Sequence, residues 1–216
     1  MTARLYCFGE SGNAYKAALT MELSGYDWEP VFVDFFRGET KTPAFRAINP
    51  MGEAPVLVED GRPIAQSAVI QLHVAERTGA FLGGAGDREE ILRWLFWDNH
   101  KLSAQIGSLR FMMNFLAPEK RSRETIAFFH NRVQAALHTL EHHLDERDWV
   151  VGAGPTIADF ACCSYLYYPE PFGFDRDDFP AIDAWLDRIA ALPGWKPPYD
   201  LMPGHPSDRA TTETGP

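Results

Sequence analysis

The spacing of hydrophobic and polar positions changes near residue 80 of the chain. Before that point, short apolar runs alternate with helical patterns, which predicts a small mixed sheet with helices on its faces. The predicted strands cover residues 4–8, 28–33, 54–58 and 62–64, and the predicted helices cover residues 13–24, 42–49 and 67–78. The dipeptide Asp60-Gly61 predicts a tight turn that places the last two strands antiparallel.

After residue 80 the strand pattern stops. The glycine-rich residues 80–87 predict a linker, and apolar positions then repeat at steps of three and four, which is typical of helices. The predicted helices cover residues 91–116, 126–144, 156–167 and 180–192, and the first two are expected to pack antiparallel. These patterns predict a first domain over residues 1–80, an all-helical domain over residues 88–200 and a mobile tail over residues 201–216.

The bulk properties of the chain exclude several classes of protein. Its 216 residues carry a formal net charge of −10, so a nucleic-acid partner, which needs a basic surface, is not expected. No apolar run reaches the roughly 18 residues of a membrane span, and the first residues lack a signal-peptide pattern, which predicts a cytoplasmic protein without a membrane partner. The cysteines form no ligand-spaced cluster and are expected to be buried apolar thiols: Cys7, Cys162 and Cys163.

Two polar patterns occur in the helical half. Thr156 and Asp159 have the spacing of a capping box, which predicts a structural role at a helix start. His138, Glu141 and His142 share one helix face and could in principle hold a metal ion. Because no other ligand converges on them, we interpret this face as solvated and predict no metal site.

Pro55 stands at the beginning of the third predicted strand. A proline is tolerated there, since the first residue of a strand need not donate a ladder hydrogen bond. Spacing alone fits either a trans bond, which is the commoner case, or a cis bond after Ala54.

Residues 49–57, Asn-Pro-Met-Gly-Glu-Ala-Pro-Val-Leu, followed by Gln66-Ser67, resemble the signature of the glutathione transferase superfamily. The resemblance covers nearly the whole chain, because it includes residues 11–16 (Ser-Gly-Asn-Ala-Tyr-Lys), residues 154–159 (Gly-Pro-Thr-Ile-Ala-Asp) and the spacing of Phe179, Pro180, Ile182 and Trp185. The early serine is similar to that of theta-like and related bacterial forms. The resemblance implies an α/β thioredoxin-like N-terminal domain that binds glutathione, followed by an all-α C-terminal domain.

The resemblance also implies roles for residues of a glutathione site. Pro55 would be cis, and the backbone of Ala54 would pair with the cysteinyl part of glutathione like a short antiparallel strand. Gln66 and Ser67 would bind the γ-glutamyl carboxylate at a helix start, where free N–H groups favour an anion, although Ser67 also fits a plain helix cap. Lys41 would pair with the glycyl carboxylate, although a lone surface lysine also fits plain solvation.

Further positions extend or weaken the implied site. Asp98 interrupts an apolar stripe and would either reach the glutamyl amine of glutathione in a neighbouring subunit or bond locally. Phe111, Met112 and Phe115 would line the electrophile pocket, and ordinary core packing fits them equally well. Glu53 departs from the lysine or glutamine of many relatives, and its negative charge would weaken glutathione binding unless only its backbone faces the ligand.

Ser11 is the candidate catalytic residue. Glutathione reacts as a thiolate, whereas a free thiol has a pKa of ~8.5. A hydroxyl that donates a hydrogen bond to sulfur, together with the N-terminus of the helix beginning near Asn13, would lower that pKa and raise the reactive fraction. Asn13 could share or take over the donor role, and Ser11 could instead serve only as a helix cap.

The function that the resemblance implies is a homodimeric glutathione transferase with a role in detoxification. Glutathione would be the co-substrate, and its thiolate would attack a small, mostly apolar electrophile. One alternative is a glutathione-dependent isomerase, dehalogenase or disulfide reductase on the same scaffold. Another is a binding protein that kept the fold and lost catalysis, and Glu53 is the residue that favours it.

Overall fold

The computed structural model describes residues 2–206, which form two compact units. Within these residues, the first unit contains the chain up to Gly79 and again residues 194–206, and the second contains Ala80–Pro193. The first boundary falls beside the one predicted at residue 80. The second boundary differs, since the sequence pattern assigns residues 194–200 to the helical domain.

The first unit is a mixed sheet with helices, as predicted. Its elements in chain order are β1 (Ala3–Cys7), α1 (Gly12–Leu23), β2 (Trp28–Phe32), α2 (Pro43–Ile48), β3 (Val56–Glu59), β4 (Arg62–Ala65) and α3 (Ser67–Thr78). The strand order is β2-β1-β3-β4, in which β1 runs parallel to β2, and β3 runs antiparallel to both β1 and β4. The turn at Asp60-Gly61 joins β3 and β4 as the sequence predicts.

Helix α1 has almost no solvent-facing side. Its alanines at positions 14, 17 and 18 are completely buried, and the helix packs against α3. The buried hydroxyl of Thr20 accepts a hydrogen bond of 3.1 Å from Gln71 Nε2 on α3, which satisfies polar groups that would be costly if left unpaired. This packing fixes the position of the first turn of α1.

The second unit is all-helical, as predicted. Its helices in chain order are α4 (Arg88–Trp97), α5 (Ser103–Arg110), α6 (Arg123–Leu144), α7 (Ile157–Cys162) and α8 (Pro180–Ala190). Helix α6 packs against α5 and α8, and α4 packs against α7. The predicted helix over residues 156–167 is α7 followed by a tighter turn at Ser164–Tyr167. None of the helices within residues 2–206 is long and apolar enough to cross a membrane.

The predicted long helix over residues 91–116 is interrupted by two wide turns, at residues 98–102 and 111–115. In the first of them the N–H of Ser103 bonds to the carbonyl of Asp98, five residues back, instead of four. The carboxylate of Asp98 is turned inward and accepts a hydrogen bond of 2.7 Å from the Ser103 hydroxyl. A wide turn adds one residue to the helix and shifts which side chains face the core.

Asp159 connects the start of α7 with two other parts of the second unit. Its completely buried carboxylate accepts hydrogen bonds from the N–H and hydroxyl of Thr156, at 2.8 and 3.0 Å, which confirms the predicted capping box. It also accepts from the Val150 N–H at 2.8 Å and from Trp185 Nε1 at 2.9 Å. Burial raises the pKa of the Asp159 carboxyl, and the donors oppose that shift because they stabilise its charged form.

The chain returns to the first unit after Gly194. A short helix, α9 (Pro198–Leu201), packs against α1. Tyr15 Oη donates to the Lys196 carbonyl at 2.7 Å, and the Gly9 N–H donates to the Pro203 carbonyl at 2.6 Å. We call residues 196–205 the C-terminal strap.

The strap differs from the prediction of a mobile tail over residues 201–216. Leu201 and Met202 are buried, and the bond from the Gly9 N–H holds Pro203 against the first unit. Residues 207–216 of the predicted tail lie outside the described residues.

Candidate functional site

The register of the sheet gathers several chain segments at one end of the first unit. Cys7, which ends β1, pairs with Phe32, which ends β2. Val56, which begins β3, pairs with Tyr6 and with Ala65, which ends β4. The segments that meet beyond this end of the sheet are residues 8–11, 33–36, 49–55 and 66–67. Ligands commonly bind beyond the carboxyl ends of parallel strands, so this end is the candidate site.

Ser11 is the N-cap of α1 at this end. Its Oγ accepts a hydrogen bond of 3.1 Å from the Ala14 N–H, and its backbone N–H donates to the Phe8 carbonyl at 3.1 Å. The residue is 7% exposed. The hydroxyl retains its own proton while it accepts, so the capping role is compatible with donation to a thiolate.

Asn13 lies in the first turn of α1. Its Oδ1 atom is buried and has no hydrogen-bond partner among the described residues. A buried amide oxygen without a partner is costly, so this position favours a polar ligand atom beside it. Rotation of the amide group exchanges oxygen and nitrogen, so the same side chain offers an acceptor or a donor.

The side chain of Asn49 holds the loop between α2 and β3 together by hydrogen bonds. Its Nδ2 donates to the Glu53 carbonyl at 2.8 Å, and its Oδ1 accepts from the Met51 N–H at 3.2 Å. Gly52 has a φ of +67°, and a Cβ there would lie 3.0 Å from the Thr40 carbonyl oxygen, so both the backbone conformation and the space require glycine. The Asn-Pro-x-Gly part of the motif therefore builds the loop.

The Ala54–Pro55 peptide bond is cis, as the resemblance implies. Pro55 is buried, and β3 begins one residue later at Val56. The backbone of Ala54 thus lies before the first residue of the hydrogen-bonded strand. This is the place where an added peptide segment could pair.

Gln66 and Ser67 begin helix α3. Gln66 is the N-cap with a φ of 71°, an uncommon value for a residue other than glycine, and its side chain makes no capping hydrogen bond to the helix. Ser67 is 5% exposed and is the first helical residue. The N–H groups of a first turn have no partner within the helix and carry partial positive charge, so this helix start suits a carboxylate.

Glu53 and Lys41 are the charged residues predicted for this site. Glu53 is exposed, and its Oε2 accepts a hydrogen bond of 3.2 Å from Gln66 Nε2. The carboxylate of Glu53, and not only its backbone, therefore faces a residue assigned to the glutamyl end of the ligand. Lys41 is exposed and ends a short turn, Glu39–Lys41.

Asp98 lies in the interior of the second unit, where it is 1% exposed. The bond from the Ser103 hydroxyl described above engages its carboxylate. This bond is the local role that the sequence left open for Asp98, and its contact with glutathione on a neighbouring subunit stays a prediction.

The residues predicted for the electrophile pocket lie on the second wide turn of the second unit. Phe111 is 40% exposed, and Met112 and Phe115 are half-buried. The guanidinium of Arg110 lies 5.1 Å from the centre of the Phe115 ring. The turn therefore presents apolar side chains that are not enclosed in the core of that unit.

The cysteines are buried, as predicted. Burial raises the pKa of the Cys7 thiol to about 12, so this thiol is protonated at neutral pH and unsuited to a nucleophilic role.

On the helix face with His138 and Glu141, the Glu141 carboxylate is bonded to the start of a neighbouring helix. The Glu141 carboxylate accepts hydrogen bonds of 2.9 Å from the N–H groups of Ala181 and Ile182 at the start of α8. Within residues 2–206, no group of three or more His, Cys, Asp or Glu side chains is arranged to hold a metal ion.

Sequence reasoning missed two features at the candidate site. One is a pair of phenylalanines, Phe35 and Phe36, which follows β2 at the same end of the sheet as Ser11. Two adjacent aromatic residues directly after a strand were the available signal. The other is the C-terminal strap, whose contact with Gly9 leaves no local pattern in the sequence.

Comparison with known proteins gives the class of this protein. Sequence models of the glutathione S-transferase N-terminal domain and C-terminal domain match residues 1–76 and residues 104–193. The chain therefore belongs to the glutathione S-transferase family, as the motif resemblance implies.

Individual relatives have different activities. The chain is 30% identical to the disulfide-bond oxidoreductase YfcG of Escherichia coli, over 86% of this chain and 89% of that protein. It is 37% identical to a glutathione S-transferase from Xanthobacter autotrophicus, with a TM-score of 0.84 over 92% of this chain and 98% of that one. A glutathione transferase from Burkholderia graminis, solved with two glutathione molecules per subunit, is 25% identical, with a TM-score of 0.79 over 89% of this chain and 85% of that one.

Proposed function

We propose that this protein is a glutathione transferase that joins the thiolate of glutathione to a small apolar electrophile. The observation that carries the proposal is the convergence of three segments at one end of one sheet: Ser11 before α1, Ala54-Pro55 before β3, and Gln66-Ser67 at the start of α3. Each segment offers a group that complements one part of the tripeptide. The glutathione bound by the Burkholderia relative supports the same ligand.

The binding part of the proposal follows from the groups at this end of the sheet. The backbone of Ala54 would pair with the cysteinyl residue, because it lies just outside the strand. Gln66, Ser67 and the uncapped start of α3 would hold the glutamyl carboxylate. Lys41, an exposed cation of the same unit, would pair with the glycyl carboxylate.

The chemical part of the proposal rests on the first turn of α1. The Ser11 hydroxyl would donate a hydrogen bond to the sulfur while it caps the helix, and Asn13 would offer a second polar contact. The thiol proton leaves to solvent, and the thiolate attacks the electrophilic carbon. A carbon–sulfur bond forms, and the leaving group departs with the electron pair of the bond that breaks.

The second unit has a role in the same proposal, at the binding place of the electrophile. Phe111, Met112 and Phe115 would supply part of the wall around the electrophile, because they present apolar surface.

We also propose that the protein is a cytoplasmic homodimer that serves detoxification. Analytical ultracentrifugation should give about twice the chain mass of 24.3 kDa, and the mass of a single chain would contradict the dimer.

The direct test is retention on immobilised glutathione together with turnover of a chromogenic aryl halide. We expect the protein to be retained and eluted by free glutathione, and to release halide only when glutathione is present. Absence of glutathione binding at millimolar concentration would overturn the enzyme proposal.

A second candidate reaction is glutathione-dependent disulfide reduction, which the relationship to YfcG favours. One glutathione thiolate would attack a disulfide sulfur and release one thiol, and a second glutathione would release the other thiol and leave as oxidised glutathione. Reduction of hydroxyethyl disulfide that exceeds aryl halide conjugation in catalytic efficiency would favour this reaction over the first.

Substitution of Glu53 by glutamine should strengthen glutathione binding by about 2- to 5-fold at low salt. The exposed carboxylate, which lies 3.2 Å from Gln66 Nε2, repels the carboxylates of the ligand, and glutamine removes this charge while its amide oxygen can still accept from Gln66. Titration calorimetry at low and high ionic strength should show the gain shrinking as salt screens the repulsion.

Glu119→Gln is the matched control for Glu53→Gln, since Glu119 is an exposed glutamate of the second unit and loses the same charge. Its affinity for glutathione should equal that of the wild type. Weaker binding by Glu53→Gln would mean that the carboxylate helps to hold the ligand, which contradicts the repulsive role.

A further inference from the structure

The C-terminal strap touches the loop that leads into α1, residues 8–11, backbone against backbone. The Gly9 N–H donates to the Pro203 carbonyl at 2.6 Å. A Cβ placed on Gly9 would lie 3.0 Å from the Gly204 carbonyl oxygen and 3.2 Å from that of Pro203. These distances are shorter than ordinary van der Waals contact, so a side chain at Gly9 would push the strap away. Glycine at this position therefore permits the contact.

Gly204 meets the end of the sheet on its other side. Its φ of +93° lies in the region that favours glycine, and a Cβ there would lie 2.5 Å from Cε2 of Phe32. Phe32 ends β2 and pairs with Cys7, which ends β1. Gly204 thus contacts both the last residue of β2 and the loop that continues from β1.

The strap is anchored on both sides of Pro203. The completely buried Tyr15 on α1 donates from its Oη to the Lys196 carbonyl at 2.7 Å. The rings of Tyr199 and His205, one before and one after Pro203 in sequence, pack edge-on with their centres 4.7 Å apart. The Pro203 carbonyl is therefore held in place before it receives the Gly9 N–H.

The loop reached by the strap carries Ser11. The strap holds the Gly9 N–H, and two residues later the Ser11 N–H donates to the Phe8 carbonyl at 3.1 Å. A hydroxyl stabilises a thiolate only within hydrogen-bond reach of the sulfur, and a misplacement of about 1 Å can cost about 100-fold in rate. The contact between loop and strap is thus in a position to control the reactive end of the site.

We propose that Pro203 and Gly204 are positioning residues for the proposed reaction, because they hold the loop that places the Ser11 hydroxyl against the sulfur of glutathione. The inference rests on the proposed function, since it needs glutathione at this end of the sheet. The rest of the tripeptide is assigned to Ala54 and the start of α3, which are other segments. Displacement of the strap should therefore raise the pKa of the bound thiol and leave the affinity for the tripeptide almost unchanged.

Gly204→Ala tests the inference, because its Cβ meets the Phe32 ring and displaces the strap. The ultraviolet absorbance of the thiolate, followed against pH, measures the pKa of bound glutathione. This pKa should lie below that of the free thiol in the wild type and rise by about 0.5–1 in the variant, which lowers the thiolate fraction about 3- to 10-fold below both values. Titration calorimetry with S-methylglutathione, which has no thiol, should give an affinity within about 2-fold of the wild type.

Gly9→Ala displaces the strap from the other side, because its Cβ meets the carbonyls of Pro203 and Gly204, and it should raise the thiol pKa as well. Gly194→Ala is the matched control. Gly194 has a φ of +88°, so alanine brings the same backbone strain as at Gly204, but its Cβ would meet no atom within 4 Å among the described residues. This control should lower the melting temperature and keep the wild-type thiol pKa.

The outcomes separate this inference from the proposed function. If the wild type binds neither glutathione nor S-methylglutathione, the proposed function is wrong. If the wild type binds both but its bound thiol has the pKa of free glutathione, or if Gly204→Ala and Gly9→Ala keep the wild-type pKa, the strap has no positioning role while the glutathione site stands. An equal rise in Gly194→Ala would assign the effect to lost stability and likewise overturn the inference.

Discussion

Replacement of Ser11 by alanine should lower the turnover of glutathione conjugation by about 10- to 100-fold. A hydrogen bond to a charged acceptor contributes about 1.5–3 kcal/mol, so its loss should raise the pKa of the bound thiol by about one to two. At neutral pH this shift reduces the thiolate fraction, and the rate should recover as the pH is raised. The pH profile of kcat with a chromogenic aryl halide measures both effects.

Ser11 is also the cap of α1, so the alanine variant should lose about 1 kcal/mol of unfolding free energy as well. Ser11→Thr keeps both the cap and the hydroxyl, and it should retain most of the turnover. Asn13→Ala tests whether the neighbouring amide shares the donor role. Full turnover and an unchanged thiol pKa in Ser11→Ala would assign Ser11 to capping alone.

Asp159→Ala should destabilise the second unit by about 3–5 kcal/mol. The substitution removes the acceptor of four hydrogen bonds found among the described residues and leaves the N–H groups of Thr156, Val150 and Trp185 without their partner. Urea denaturation followed by tryptophan fluorescence, together with the melting temperature, measures the loss.

Two further variants provide reference values for the loss of stability in Asp159→Ala. Asp159→Asn should be less damaging than alanine, since the amide oxygen can still accept from two donors while its nitrogen opposes the other two. Asp183→Ala on α8 removes a half-exposed ion pair with Arg176 and should cost less than about 1 kcal/mol. A cost below about 1 kcal/mol for Asp159→Ala would mean that its network contributes little to stability.

The local parts of the site were predictable because short segments determine them. Asn49 and Gly52 shape their loop through contacts with nearby residues, and Ser11 caps the helix that follows it. The capping box of Thr156 and Asp159 is local in the same sense. In each case a particular residue type at a fixed spacing suits the backbone only a few positions away. The sequence motif alone is therefore enough to predict the local structure.

Features that depend on distant residues were not predictable from spacing. The apolar stripe over residues 91–116 indicates one helix, but the buried bond between Asp98 and Ser103 accompanies a wide turn. Spacing also left the role of Asp98 open between a local bond and a contact with glutathione, since burial is set by the rest of the unit. Phe35 and Phe36 look like ordinary apolar residues until the sheet register places them beside Ser11.

The C-terminal strap means that the first unit is assembled from two segments of the chain, one on each side of the second unit in sequence. During synthesis on the ribosome, the sheet and α1 emerge early, but the Pro203 carbonyl that receives the Gly9 N–H is made only after the whole second unit. The loop beside Ser11 therefore gains this partner only after the second unit has been made. A nascent chain that stalls within α8 would carry every strand of the described sheet and still lack this contact.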